Sequence, residues 1–454
     1  MDQKQGRVSP LLLLSLGTSV FAMHFGTSSM IWPMTWGKQS GDTYLLAFAG
    51  VFCTAIGLVY LAYISLTRSG KSLYQMAAVV SGGFANAYSL IIILVMGPLF
   101  CIPRMAAAVW DAFLQVSGLS FSSFLPALLF SCLYCLITYH FISSENDVLS
   151  KISKWLVPFL LLAVTFVLVK GMLYPTGAQL AKEYPQASFA YGFKSGYASG
   201  EVICALLYGD VVIRSLNKVT TSDRKKRYLY TVCAIGLWLL TVTHFCHMYI
   251  GSFTGHYQEL SYARLYAQVV IDLWGPIGGV IFTVALTFAA LTAAVGISSS
   301  TAILTVELSR GKLAYKKTAR FILAITAIVA SLKLDAIVRF IGPLLDIIYP
   351  ATIVLVVYFA LNKNVEDKLS KVWSLRFSVF MALLAGIVEG IVVYGNTLNE
   401  TVGWHVNVQP IADFLTRIPL AEQGVFWFVP VLVAAVVGWL LGYCLQKKQA
   451  SCQI

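Results

Sequence analysis

Hydrophobic and polar positions along this chain alternate on the scale of whole helices. Apolar runs separated by short polar loops lie near residues 11–36, 43–66, 80–102, 121–141, 150–173, 193–213, 229–252, 268–305, 319–334, 337–361, 374–395 and 424–445. A run of about 20 apolar residues is what a helix needs to cross a bilayer, where no water satisfies a free backbone group and only the helix does so internally. The pattern predicts an all-α polytopic membrane protein with about 12 transmembrane helices. The longest connections, about 174–192 and 396–423, are too short for a soluble domain, so residues 1–454 read as a single transmembrane domain.

Composition agrees: 58% of the 454 residues are hydrophobic and 11% charged, against roughly 25% charged in ordinary soluble domains. The formal net charge of +12 raises the question of nucleic acid, and its placement answers it. With a cytoplasmic N-terminus, 23 of the 32 Lys and Arg residues fall on one side of the membrane. The positive-inside rule then predicts both termini in the cytoplasm and makes the "RKKR" run, 224–227, a topology anchor and not a nucleic-acid patch. The first apolar run is too long for a secretory signal and no small-residue cleavage pattern follows it, so it is expected to stay as a helix. The nine cysteines fall mostly within spans and do not form a disulfide framework; Cys132 and Cys135 make a CxxC on one helix, read as packing.

The informative places are those where polar and glycine residues interrupt a span, because irregular backbone at membrane depth persists only where it is buried in protein or lines a cavity. "FAMHFGTSSMIWP", 21–33, breaks segment one at Gly26, Thr27, Ser28 and Ser29. "FKSGYASGEVICALLYGD", 193–210, breaks segment six. The two are five segments apart, so a chain of two five-helix halves places them equivalently, with the second half inverted. That is the arrangement of many secondary transporters, whose discontinuous helices meet near the midplane. The competing reading is two small-residue packing seams. Segment eight adds "FAALTAAVGISSSTAILTVE", 288–307, whose hydroxyls either bond back to their own helix or face an unwound segment as hard ligands.

Ionisable groups inside spans are functional candidates by default. Glu201 follows the second break, and His24 precedes the first. Arg104 closes "GPLFCIPR" at the outer end of segment three and reads as a structural anchor or part of an outer gate. His244 and His247 are three apart on segment seven but lack an acidic partner for a metal. The chain carries no nucleotide-binding loop, nucleophile elbow or paired-carboxylate site, which argues against ATP-driven pumping and leaves a membrane-embedded enzyme as a remote alternative.

Six stretches then carry a resemblance: "FAMHFGTSSMIWP", "GPLFCIPR", "GYASGE" at 196–201, "LTAAVGI" at 291–297, "IYPATIVLVV" at 348–357 and "PLAEQGVFWFVP" at 419–430. With them the chain resembles the branched-chain amino acid carriers, cation symporters for leucine, isoleucine and valine. The resemblance implies a LeuT-type fold, with repeat one over about 11–173, repeat two over about 193–361 and additional helices over about 374–445. It implies import of branched-chain or other apolar amino acids, methionine included, across the bacterial plasma (inner) membrane by Na+ or H+ symport with alternating access. An uncoupled facilitator or exchanger is the alternative. It implies no cofactor and no obligate protein partner. By carry-over, Gly26, Thr27, Ser28 and Ser29 meet the substrate carboxylate, and Gly196, Tyr197, Ala198, Ser199, Gly200 and Glu201 supply carbonyls and pocket walls. Ala22, Phe25, Ala289 and Thr292 form a Na+ site. Ser28 and Ser29 replace the family's usual Gly-Asn pair, Ala293 follows Thr292 where a second hydroxyl is usual, and Glu201 stands where Asp is common. These departures leave Na+ and H+, the latter on Glu201 or His24, both open.

Overall fold

The computed structural model describes residues 8–121, 123–143, 157–182, 187–197, 199–220, 224–258, 260, 262–332 and 334–451. It is 83% helix, with no strand among the described residues. In chain order the helices are α1 (Pro10–His24), α2 (Thr27–Ser40), α3 (Tyr44–Val51), α4 (Leu58–Ser69), α5 (Leu73–Val80), α6 (Gly82–Leu94), α7 (Cys101–Ser117), α8 (Phe124–Ile142), α9 (Val157–Leu173), α10 (Ala187–Tyr197), α11 (Glu201–Val219), α12 (Lys225–Ser252), α13 (Tyr262–Leu308), α14 (Tyr315–Ala330), α15 (Leu334–Ile341), α16 (Pro343–Leu361), α17 (Leu369–Val402), α18 (Gln409–Thr416) and α19 (Phe428–Ser451). π-helical turns at Phe52–Gly57 and Val95–Leu99 join α3 to α4 and α6 to α7.

Within the described residues the apolar runs form helix, and length and composition qualify nine helices as membrane spans, or ten if α14 and α15, bent by 112°, count as one. Segment one is cut in two at the break, leaving α1 with 15 residues. Residues 150–156, where segment five was expected to begin, lie outside the described residues. Segment three runs on to Ser117 through Gly97 and Pro98, where the backbone leaves helical geometry. Segment eight begins earlier than expected, at Tyr262, and turns at Gly275 (φ 66°, ψ −164°) before Pro276.

The distribution of polarity is that of a membrane protein. Leu125, Leu129, Leu133 and Leu136 form an exposed stripe on α8, as an apolar face turned to lipid does. His24, Ser28, Ser29, Arg104, Glu201, Thr292 and Ser299 are buried.

α12 backs both halves of the broken first segment. Its approach to α2 is set by two glycines facing each other's backbone: a Cβ on Gly37 would stand 2.0 Å from the Met248 carbonyl oxygen, and one on Gly251 would stand 2.0 Å from that of Met34. Small residues allow membrane helices to pack this closely, where dispersion replaces the hydrophobic driving force. Gly251→Val should therefore push α2 off α12 and destabilise the protein by about 1–3 kcal/mol, the usual cost of overpacking. Thermal unfolding in detergent measures this against Gly82→Ala, a position where an added Cβ meets nothing within 4 Å.

Candidate functional site

The first break is shorter than its composition suggests. α1 stops at His24, Phe25 takes φ −81°, ψ 66°, and Gly26 is the extended N-cap of α2 at φ −87°, ψ −170°. Thr27, Ser28 and Ser29, expected in the unwound part, form the first turn of α2. Gly26 has no side chain to cap that helix, and no side-chain cap hydrogen bond occurs there among the described residues. The amino end of α2 thus presents backbone N–H groups and the positive end of a helix dipole inside the protein. The same glycine seats the break on its neighbours, since a Cβ there would lie 2.7 Å from Cβ of Ala293 on α13 and 3.2 Å from Cε of Met105 on α7.

The second break separates α10 from α11. Gly196 and Tyr197 end α10, Ser199 and Gly200 lie between the helices, Glu201 opens α11, and Ala198 lies outside the described residues. Gly200 has φ 84°, a left-handed conformation that costs glycine nothing. The backbone here is satisfied from within. The Ser199 hydroxyl donates to the Gly196 carbonyl at 2.6 Å, the Glu201 N–H reaches the Ser199 hydroxyl at 3.4 Å, and the Val202 N–H donates to the Tyr349 hydroxyl at 3.2 Å.

The two breaks meet at the Glu201 carboxylate. His24 Nδ1 lies 2.6 Å from Oε2 and the Ser29 hydroxyl 2.8 Å from Oε1. With a carboxylate as acceptor, Nδ1 carries the ring proton, and Nε2 of the neutral ring accepts from the Tyr63 hydroxyl at 2.9 Å. Ser29 Oγ is also 2.8 Å from the His24 carbonyl. The one Ser29 hydroxyl is thus shared between the end of α1 and the Glu201 carboxylate.

The four residues expected to hold Na+ lie on α1, at the break that follows it, and on α13. Ala22, Phe25, Ala289 and Thr292 are all buried, and Gly26 places the end of α1 beside Ala289 and Ala293. The Thr292 hydroxyl donates to the Ala289 carbonyl at 2.9 Å, which orients its lone pairs but also realises the local back-bond expected of a helical threonine. These oxygens are hard and uncharged, a donor set suited to a monovalent cation. Neither histidine of segment seven joins a metal site. His247 bonds the Thr243 carbonyl and the Tyr266 hydroxyl, His244 bonds the Leu240 carbonyl, and no cluster of three His, Cys, Asp or Glu residues occurs among the described residues. On α8, Cys132 is exposed and Cys135 buried, as packing residues would be.

Three participants were not legible as a group. Tyr63 lies on α4 without a motif, and Tyr349 sits in "IYPATIVLVV" with nothing to mark its hydroxyl. Arg104, expected near the outer boundary, is instead buried beside Ser199, to whose carbonyl it donates at 3.0 Å. Beyond Trp32 and Phe100 opens a cavity of about 1200 Å³ whose lining also includes Thr35, Trp36, Tyr262 and Asp346.

Removing the shared acceptor should cost more than removing its charge. Glu201→Ala is expected to destabilise by about 1–3 kcal/mol, because it leaves a buried histidine N–H without its acceptor, whereas Glu201→Gln keeps an acceptor and costs less. Paired melting curves in detergent decide; equal melting temperatures for wild type and Glu201→Ala would contradict the geometry.

The family model for the branched-chain amino acid transport protein matches residues 11–445. The branched-chain amino acid permease BrnQ of Bacillus subtilis (strain 168) is 25% identical, with 96% of this chain and 98% of that protein covered. The permease of the same name from Escherichia coli (strain K12) is 26% identical, with 94% of each covered. Among solved structures, a substrate-bound outward-open Na+-coupled sialic acid symporter superposes with a TM-score of 0.57 at 14% identity, covering 96% of this chain and 90% of that one. MhsT in complex with L-phenylalanine superposes with a TM-score of 0.51 at 15% identity, covering 97% and 99%. Both share the LeuT fold, and the curated relatives are permeases and not enzymes.

Proposed function

Because the chain belongs to the family of branched-chain amino acid transport proteins, we propose that it imports leucine, isoleucine and valine, with methionine as a secondary substrate, by cation symport with alternating access. The observation that carries this reading is the meeting of His24 and Ser29, from the first break, with Glu201, from the second. Two interrupted helices joined at one buried carboxylate are the arrangement expected of a transporter's midplane site, where half-helix ends and freed carbonyls face the ligand.

In this reading the substrate carboxylate is taken at the uncapped amino end of α2, Gly26 to Ser29, and the ammonium faces carbonyls of 196–200. The cavity beyond Trp32 and Phe100 is the vestibule by which substrate enters. α2 leads away from the N-terminus, so with both termini cytoplasmic the vestibule opens outward. Two five-helix repeats, about 11–173 and 193–361, rock about the joint, and the helices over about 374–445 are additions. An apolar pocket discriminates one methylene by only about 1–3 kcal/mol, so the three branched chains share the route.

The coupling ion is Na+ or H+. Ala22, Phe25, Ala289 and Thr292 would hold Na+, which would contribute charge compensation beside the first break. Glu201, with His24, would hold a proton. Either ion neutralises charge at the joint, and with it the cost of moving the loaded site through a low-dielectric interior.

Proteoliposomes loaded with no substrate and given an imposed inward Na+ or H+ gradient should accumulate labelled leucine, isoleucine and valine. Equilibration without accumulation would instead identify a facilitator, and no uptake at all would remove the transport reading. Glu201→Gln is expected to lower gradient-driven accumulation by at least about tenfold, the scale of one lost charge-assisted hydrogen bond. Wild-type accumulation in that variant returns Glu201 to a purely structural role.

A further inference from the structure

Arg104 is a buried cation with no carboxylate at ion-pair distance among the described residues. The residue is 3% exposed. Its guanidinium is sandwiched by two rings, with Cζ 4.8 Å from the centre of Trp32 and 4.4 Å from that of Phe100. Nη2 donates to the Ser199 carbonyl at 3.0 Å and reaches the Cys101 thiol, a weak acceptor, at 3.8 Å. Nε and Nη1 are buried and have no hydrogen-bond partner, and among the described residues no carboxylate forms an ion pair with this arginine. Withdrawing a guanidinium from water is costly unless its charge is paired and its donors are used. The two rings repay part of that cost through cation–π attraction. They cannot accept the remaining N–H groups.

The position of this unpaired charge is specific. Ser199 lies two residues before Glu201, and both oxygens of Glu201 are already engaged by His24 and Ser29. Trp32 stands about one turn beyond Ser29 on α2, and Trp32 and Phe100 both line the large cavity. The guanidinium therefore stands between the cavity and the joint of the two breaks. We propose that Arg104 is the counter-charge for the carboxylate of the transported amino acid. Nη2 gives one hydrogen to Ser199 and points the other at the weakly accepting Cys101 thiol; a carboxylate that displaces the thiol meets that hydrogen together with the unused Nε–H or Nη1–H as a two-donor edge. The amino end of α2 and Arg104 then hold one carboxylate between them, and a molecule with the same side chain and ammonium but no carboxylate is rejected at the cavity floor.

This inference rests on the transport reading and is separable from it. Displacement of labelled leucine from the purified full-length protein by unlabelled leucine and by leucinol, which lacks only the carboxylate, is the measurement. In the wild type leucinol should bind about 10- to 100-fold more weakly, the range for a hydrogen bond to a charged group. Arg104→Gln should weaken leucine to the leucinol level and leave leucinol within about threefold of its wild-type affinity. Arg104→Lys keeps the charge without the fork and should fall between. Equal competition by the two ligands in the wild type overturns the inference, as does an equal loss of both in Arg104→Gln, which would make Arg104 a packing or gating residue. Should Arg104→Gln not purify in a folded state, Arg104→Lys and the wild type decide: a full preference for leucine retained in Arg104→Lys also overturns it. Absence of leucine binding and uptake by the wild type removes the transport reading and this inference together, whereas retained uptake with equal loss of both ligands removes this inference alone.

Discussion

The carboxylate of Glu201 is the point at which two interrupted membrane helices are held together. A buried carboxylate is tolerated only where its lone pairs are used, and here one oxygen faces His24 at the end of α1 while the other faces Ser29 in the first turn of α2. Each break alone would leave polar backbone deep in the protein, at a cost of several kcal/mol per unsatisfied group. Joined, they stabilise each other. The extra methylene of Glu over Asp gives the carboxylate the reach to meet a histidine and a serine that belong to the opposite break.

The scaffold around this joint is rigid where backbone meets backbone. α12 lies against α2 through Gly37 and Gly251 with no room for a side chain between them, so α2 and α12 are closely packed. On the other side Gly26 rests on Ala293 and Met105, which ties the start of α2 to α13 and α7. The joint at Glu201 depends instead on side chains whose bonds can be exchanged. A conformational cycle that keeps helix packing intact while remaking polar contacts is the inexpensive one, because close-packed interfaces are bistable and resist gradual deformation.

Much of this was legible in the sequence, for a physical reason. Hydrocarbon forbids unsatisfied backbone, so polar and glycine residues inside an apolar run announce themselves, and both breaks lie where the composition put them. The extent of the first was overestimated, because Thr27 to Ser29 resemble loop residues yet serve as the first helical turn. Tyr63 and Tyr349 could not be assigned, since a tyrosine on an apolar helix looks the same whether its hydroxyl meets a histidine ring or a backbone N–H 147 residues away. Arg104 was placed near the boundary because it closes "GPLFCIPR" where the third apolar run ends. The π turn at Val95–Leu99 and the non-helical Gly97 instead carry the chain onward, and the arginine with it, into the interior. The span count was the least secure quantity, because a broken segment contributes two short helices to any measure based on length.

The two breaks are not equivalent, and the difference indicates where a ligand belongs. At the second break Ser199 and Tyr349 supply partners for the Gly196 carbonyl and for the N–H groups of Glu201 and Val202. At the first, the amino end of α2 has no side-chain cap, and nearby Arg104 has donors with no acceptor. Both features favour negative charge, and Arg104 packs against Trp32 and Phe100, which line the cavity. In the proposed reading an amino acid's carboxylate supplies that charge, while its aliphatic side chain gains the apolar contact that the two rings provide.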